Sequence, residues 1–259
     1  MTTTNAIQHI CNWIKQYSLE SKTKGFVIGI SGGIDSAVTS TLTAKTNLPL
    51  LCVEMPIYQK KEEISRGKGH IQWLEKKFEN VRSIEIELTP VFEQFIKKIP
   101  KTKNKKNLLA LANSRARLRM TTLYYLAQIN NYIVVGTGNK IEDFGIGFFT
   151  KYGDGGVDIS PIADLLKSEV YLIGKELKIN SDILLAPPTD GLWENGKTDE
   201  EQIGASYSEL EWAMNLNKIK KNLTKREKKI LNLYKKLHRT NLHKMKPIPV
   251  CKISEGITN

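Results

Sequence analysis

Cysteine is scarce in this chain, and what there is cannot build a framework. Cys11, Cys52 and Cys251 are 3 in 259 residues, odd in number and far apart. A disulfide ladder and a Cys-x-x-Cys metal knuckle are therefore both excluded. No apolar run approaches the ~20 residues of a membrane span, so no membrane partner is expected. The first fifteen residues are polar where a secretory leader needs an apolar block. A reducing, cytoplasmic setting is the expectation that follows. No HExxH helix is present either, which excludes that zinc chemistry.

Charge of one sign dominates. Lys and Arg number 39 against 27 Asp and Glu, a net of +12. Such an excess suits anionic partners such as nucleotides, nucleic acid or lipid headgroups. It suits a solvated basic surface with no partner equally well, and charge alone does not separate the two. Hydrophobic residues at 40% and charged residues at 25% exclude wholesale disorder. A chain of this length buries roughly three quarters of its unfolded surface.

Apolar periodicity outlines the elements. Ile7, Ile10, Cys11, Ile14 and Tyr17 form one stripe of a helix over 5–17. Gly25–Ile30 is a short β-branched run of the buried, parallel kind. A helix over 37–45 follows, weakened by its threonines. Then come a strand over 49–55, a helix over 60–78 and a strand over 81–88. Thr89 is the expected N-cap of the next helix, with Pro90 at its first position. The basic stretch 97–106 reads as an exposed loop. Helix 107–130, strand 132–135, an irregular Gly-rich segment over 148–158 and a helix over 164–178 follow. Prolines break the chain from 186, Thr198 starts a helix, and a basic helix covers 225–238. Strands and helices alternate four or five times. That predicts an α/β fold, a doubly wound parallel sheet of Rossmann-like type with a helical C-terminal appendage. No repeat or linker divides the chain, so one domain over 1–259 is expected.

The turn Ser31-Gly-Gly-Ile-Asp-Ser36 lies between the first strand and a helix. Gly32 and Gly33 let the backbone bend sharply and approach a ligand. Their N–H groups then face one hollow beside the positive end of the helix. Ser31 and Ser36 add hydroxyls, making an anion cradle of pyrophosphate size. Asp35 would repel a phosphate unless a divalent cation lay between them. Mg²⁺ is commonly held by one or two carboxylates plus phosphate oxygens. This turn has no Lys for a Walker loop and no GxGxxG for a dinucleotide fingerprint.

Ser-Gly-Gly-x-Asp-Ser after a first strand resembles the pyrophosphate loop of the ATP pyrophosphatase superfamily, the adenine nucleotide alpha hydrolase type. Its members adenylate a carbonyl or carboxyl oxygen and release pyrophosphate. Further motifs look like the NAD synthetase family, in that family's order. They are Arg115-Ala-Arg-Leu-Arg-Met120, Val135-Gly-Thr-Gly-Asn-Lys-Ile-Glu142 and Gly147-Phe-Phe-Thr-Lys-Tyr-Gly-Asp-Gly-Gly156. Ile159-Ser-Pro-Ile, Leu166-Lys167, Pro188-Thr189, Thr198-Asp-Glu with Gly204 and Tyr207, and His243-Lys244 complete the set. The likeness spans nearly the whole chain. The FFTKYGDGG block is highly specific, whereas Thr189 and His243 taken singly are not. No N-terminal glutaminase domain is seen, so the chain is similar to the ammonia-dependent form.

The resemblance implies site residues, position by position. It places ATP on Gly29, Ile30, Ser31, Gly32, Gly33, Ile34, Asp35, Ser36, Thr137, Lys167 and Thr189. It places Mg²⁺ on Asp35 and Glu142, and deamido-NAD on Arg117, Lys151, Asp158, His243 and Lys244. Asp35 and Lys167 are its catalytic pair. The residue types agree. Glu142 lies just past a strand end, where open α/β sheets bind ligands. Lys167 offers a point charge to departing pyrophosphate, though a lone Lys in an apolar helix otherwise snorkels to water. Cations suit a carboxylated pyrophosphate ligand, and Asp158 can accept from ribose hydroxyls. Arg115 and Arg119 read equally well as surface charges. The Trp193 loop reads as a lid over ATP.

The reaction so implied is ATP-dependent amidation of deamido-NAD by ammonia, through an adenylated intermediate, in a homodimer. AMP and pyrophosphate are released. A tRNA-modifying adenylating ligase is the rival enzyme, favoured by the basic segments 97–106 and 218–229. No RNA-binding module is evident, and no nucleic-acid partner is expected. A non-catalytic nucleotide-binding module is disfavoured by Asp35 and Glu142.

Overall fold

The computed structural model describes residues 2–100, 106–189, 198–216 and 222–253. Its first half alternates helix and strand: α1 (Thr3–Glu20), β1 (Gly25–Gly29), α2 (Ile34–Ala44), β2 (Leu50–Glu54), α3 (Lys61–Lys77), β3 (Val81–Glu85), α4 (Thr89–Lys98), α5 (Lys106–Asn130) and β4 (Tyr132–Val134). A π-helical turn, Ile141–Ile146, follows β4. Helices complete the chain: α6 (Lys167–Glu176), α7 (Ser181–Leu184), α8 (Asp199–Ile203), α9 (Tyr207–Met214) and α10 (Lys225–Met245). None of the described helices is long and apolar enough to cross a membrane.

The four strands are parallel, in the order β3-β2-β1-β4. Val135 and Ile159 extend the β4 edge by one parallel bridge. Strand alternation assigns each side chain to a layer. Phe26, Ile28, Leu50, Cys52, Ile133 and Val135 face α1, α2 and α6 in one core. Val27, Val53 and Val134 face α4 and α5 in a second core, with Phe92, Leu126 and Ala127. A third cluster joins the π-turn to α8, α9 and α10 through Ile141, Ile146, Ile203, Leu210 and Ile230. This cluster is the helical appendage expected from the sequence.

α2 is enclosed by neighbours, with 10 of its residues buried. Its threonines lower helix propensity, and the hydroxyls offset this locally. Thr39, Thr41 and Thr43 donate to the carbonyls of Asp35, Ala37 and Thr39 at 2.8, 2.7 and 2.8 Å, so no buried hydroxyl is wasted. Behind it, buried His70 bonds Ser40 at 2.9 Å through Nε2.

Some boundaries differ from the sequence reading. The N-cap of α4 is Leu88, not Thr89, because Glu87 Oε1 turns forward to accept from the Thr89 N–H at 2.8 Å. α6 begins at Lys167 rather than 164, since residues 161–165 form turns and Glu169 accepts from the Leu166 N–H at 2.8 Å. Lys97 and Lys98 belong to α4 instead of a loop, while 101–105 and the Trp193 segment lie outside the described residues.

Candidate active site

β1 ends where the strand order turns over, between β2 on one side and β4 on the other. Open parallel sheets form a crevice at such a point. The Ser31–Ser36 turn stands there. Gly32 has φ +80°, and a Cβ on it would sit 2.5 Å from the Glu63 carbonyl oxygen, so only glycine fits. Gly33 N–H donates to Ser31 Oγ at 3.2 Å, and the Ser31 and Ser36 hydroxyls lie 3.0 Å apart. The Ser31 N–H donates to Ser36 Oγ at 3.3 Å, so serine hydroxyls accept from two N–H groups of the turn.

Asp35 falls in the first turn of α2, where the helix dipole favours a carboxylate. Lys167 is the first residue of α6, where the dipole disfavours a cation. Two acids offset that cost. Lys167 Nζ lies 2.5 Å from Asp35 Oδ2 and 3.0 Å from Glu142 Oε1, and its side chain is only 3% exposed. The snorkelling expected of a lone Lys does not occur. Asn139 joins the acids: Nδ2 donates to Asp35 Oδ1 at 3.2 Å, and Oδ1 accepts the Ile141 and Glu142 N–H groups at 3.1 Å each. The Tyr207 hydroxyl donates to Glu142 Oε1 at 2.5 Å and lies 3.3 Å from Asp199 Oδ2.

Burial and the neighbouring charges pull these groups in opposite directions. Burial would lower the Lys167 ammonium, but Asp35 and Glu142 outweigh it and hold the amine well above its ordinary range. Burial raises Asp35, aided by the charge of Glu142 and opposed by Lys167. Burial also pulls Glu142 upward, yet Lys167 and the Tyr207 hydroxyl prevail and keep it below its usual value.

These groups open onto a cavity of about 300 Å³. Of the residues assigned to ATP, Gly29, Ile30, Ser31, Gly33, Ile34, Asp35, Ser36, Thr137, Lys167 and Thr189 line it, as does Glu142. Gly32 does not line it. The sequence reading missed several neighbours. Arg66 lines the cavity and donates to the Gly32 carbonyl at 3.3 Å. Arg119 is not a surface charge. It lines the cavity, bonds the Met55 carbonyl at 2.9 Å and Gln59 Oε1 at 2.8 Å, and burial brings it down to about 10. Asp143 also lines the cavity. Burial and the charges of Glu142 and Asp154 push it up to about 8. A Cβ at Gly138 would overlap its carboxylate, which explains glycine there. Asn139 and Tyr207 were inside recognised motifs, but no local pattern announced their roles.

The residues assigned to the dinucleotide lie elsewhere, and none lines this cavity. Arg117 donates through Nε and Nη2 to the Lys151 carbonyl at 3.3 and 3.2 Å. Lys151 Nζ reaches the His243 carbonyl at 2.9 Å, and Lys244 Nζ reaches the Phe149 carbonyl at 2.7 Å. Four of the five, with His243 contributing its backbone, thus tie α5, the 147–156 segment and the end of α10 together. Asp158 stands apart, accepting the Tyr124 hydroxyl at 2.9 Å and the Val134 N–H at 2.8 Å.

A parallel sheet that turns over at a glycine-rich anion cradle, with two acids bridged by a lysine beside it, defines a nucleotide-using α/β enzyme. Comparison with known proteins gives the family. The NAD synthase family profile matches residues 6–247, and the chain belongs to that family of ligases. An NH(3)-dependent NAD(+) synthetase from Mesoplasma florum is 40% identical over 207 residues, covering 79% of this chain and 82% of that one. One from Alkaliphilus oremlandii is 38% identical over 254 residues, 94% and 96% of the two chains. An NMN synthetase of known structure from Francisella tularensis superposes with a TM-score of 0.85 at 32% identity, over 98% of this chain and 100% of that one.

Proposed function

We propose that the protein amidates deamido-NAD with ammonia in an ATP-dependent reaction. The observation that carries this reading is the Asp35–Lys167–Glu142 constellation at the end of the Ser-Gly-Gly loop. A carboxylate oxygen of the substrate attacks the α-phosphorus of ATP. The P–O bond to pyrophosphate breaks, leaving an acyl adenylate. The lone pair of ammonia then forms the C–N bond, the C–O bond to AMP breaks, and the surplus proton passes to water. Loop amides, the α2 N-terminus and Lys167 stabilise the charge growing on pyrophosphate.

Asp35 and Glu142 are the residues that would hold Mg²⁺. Two acids already sharing a cation fit it, since Mg²⁺ takes few protein carboxylates and completes its shell from phosphate and water. When bound, it supplies charge neutralisation on the phosphates. Lys167, held by both acids, is the residue that would turn its ammonium to the triphosphate.

We also take the protein to be cytoplasmic and homodimeric. The apolar residues left exposed along α5, Leu108, Leu109, Tyr125 and Ile129, support a dimer. Sedimentation at micromolar concentration is expected to give twice the chain mass.

The direct assay combines protein, ATP, Mg²⁺, ammonium and deamido-NAD. NAD and AMP are expected in equal amounts, and ADP as the product would defeat the scheme. The Francisella tularensis likeness supports a second reading, formation of NMN from its carboxylate counterpart. Comparing kcat/KM for the mononucleotide and the dinucleotide acid decides between them.

A further inference from the structure

Tyr207 begins α9, with Ser206 as N-cap, and its ring belongs to the apolar cluster of the C-terminal helices. It is 6% exposed. Packing alone would be served by phenylalanine, because a buried hydroxyl is costly unless paired. This hydroxyl leaves its own cluster to meet the adenylation centre. It lies 2.5 Å from Glu142 Oε1, the length of a charge-assisted O–H···O bond, with Asp199 Oδ2 at 3.3 Å as the weaker acceptor. Its ring faces Lys167, whose Nζ stands 4.7 Å from the centroid. One side chain thus touches both the acid and the amine.

We infer that Tyr207 is a positioning residue for the reaction, fixing the Glu142 carboxylate while Lys167 changes partners. The inference rests on the adenylation reading above. Glu142 Oε1 takes hydrogen bonds from both Lys167 and Tyr207. Lys167 must turn toward a triphosphate to act on it. The Tyr207 hydroxyl stays, because its ring is locked in the third core. Glu142 therefore keeps its aim during the exchange, and the C-terminal helical layer becomes part of the centre.

Tyr207→Phe removes the hydroxyl and keeps the ring. Its kcat is expected to fall at least tenfold, with KM for deamido-NAD within twofold of the parent. Mn²⁺ binding in the presence of α,β-methylene-ATP, followed by electron paramagnetic resonance, is expected to weaken at least fivefold. Parental kcat and Mn²⁺ affinity would overturn the inference. Should the variant fail to fold, 3-fluorotyrosine placed at 207 keeps hydroxyl and shape. Its ¹⁹F signal is expected to move when Mg²⁺ and α,β-methylene-ATP are added, and an unmoved signal would overturn the inference equally. Parent enzyme making neither NAD nor AMP would instead sink the underlying reading.

Discussion

On the β1 side of the cavity, charged side chains meet one another. Lys167 is buried between the half-buried Asp35 and Glu142, with Asn139 and Tyr207 completing their hydrogen bonds. Toward the 147–156 segment, charged side chains meet backbone instead, as Lys151, Lys244 and Arg117 each hold a carbonyl. The difference bears on how each group of side chains would take the ligand proposed for it, the second group lying outside the cavity lining. In the first, Lys167 already pairs with both acids, so on the proposed reading ATP would have to rearrange it. The second is held by ionised donors on neutral carbonyls, and on the proposed reading a carboxylate or phosphate would compete for those donors with a full opposite charge. The first half should therefore respond to substitution in stability and rate together, and the second in substrate affinity.

Lys167→Met tests the first half most severely. It strands two half-buried carboxylates that share one buried cation, and a loss of about 3 kcal/mol is expected in denaturant unfolding. Turnover is expected to fall on the order of a thousandfold. Parental stability would show that the acids do not need the amine, and the contrast between halves would fail.

Next comes the support behind α2. Burial pushes His70 down to about 4, whereas an unfolded histidine titrates near 6.5. The unfolded chain thus binds a proton that the folded chain refuses. Stability is complete above about pH 6.5 and declines as pH falls toward 4, by about 3 kcal/mol. Unfolding measured across that window should show the slope, and His70→Gln should flatten it.

Gly32→Ala meets both the positive φ and the Glu63 carbonyl. About 1–3 kcal/mol of stability should be lost, with a raised KM for ATP and an unchanged KM for the dinucleotide. The smallest effect belongs to the other half. Arg117→Ala is expected to raise KM for deamido-NAD about tenfold, some 1.4 kcal/mol, while thermal stability and KM for ATP stay near parental values. A loss confined to stability would mean that Arg117 only ties α5 to the 147–156 segment.

Much of the first half is legible in the sequence. The Ser-Gly-Gly-x-Asp-Ser turn needs only its strand and helix to be read as an anion cradle, and all three are local. Glu142 is legible as an acid past a strand end. Lys167 is legible by type but not by state, because its burial depends on acids 132 and 25 positions away. Tyr207, 65 positions from Glu142, is hidden for the same reason, although it falls in a family-like motif. Arg119 shares a helical stripe with Arg115, and periodicity cannot say which faces a cavity. The Leu88 cap shows the limit at short range: Thr89 has the right chemistry, but Glu87 reaches its N–H first.

The enclosure of α2 carries one more consequence. A helix surrounded on nearly every side has nowhere to slide, so the phosphate grip proposed for its tip would serve as a fixed anvil. On that reading the lysine opposite, not α2, would be the part that moves. The amides of α2 should then be among the last in the molecule to surrender their hydrogens to deuterated solvent, with nucleotide present or absent.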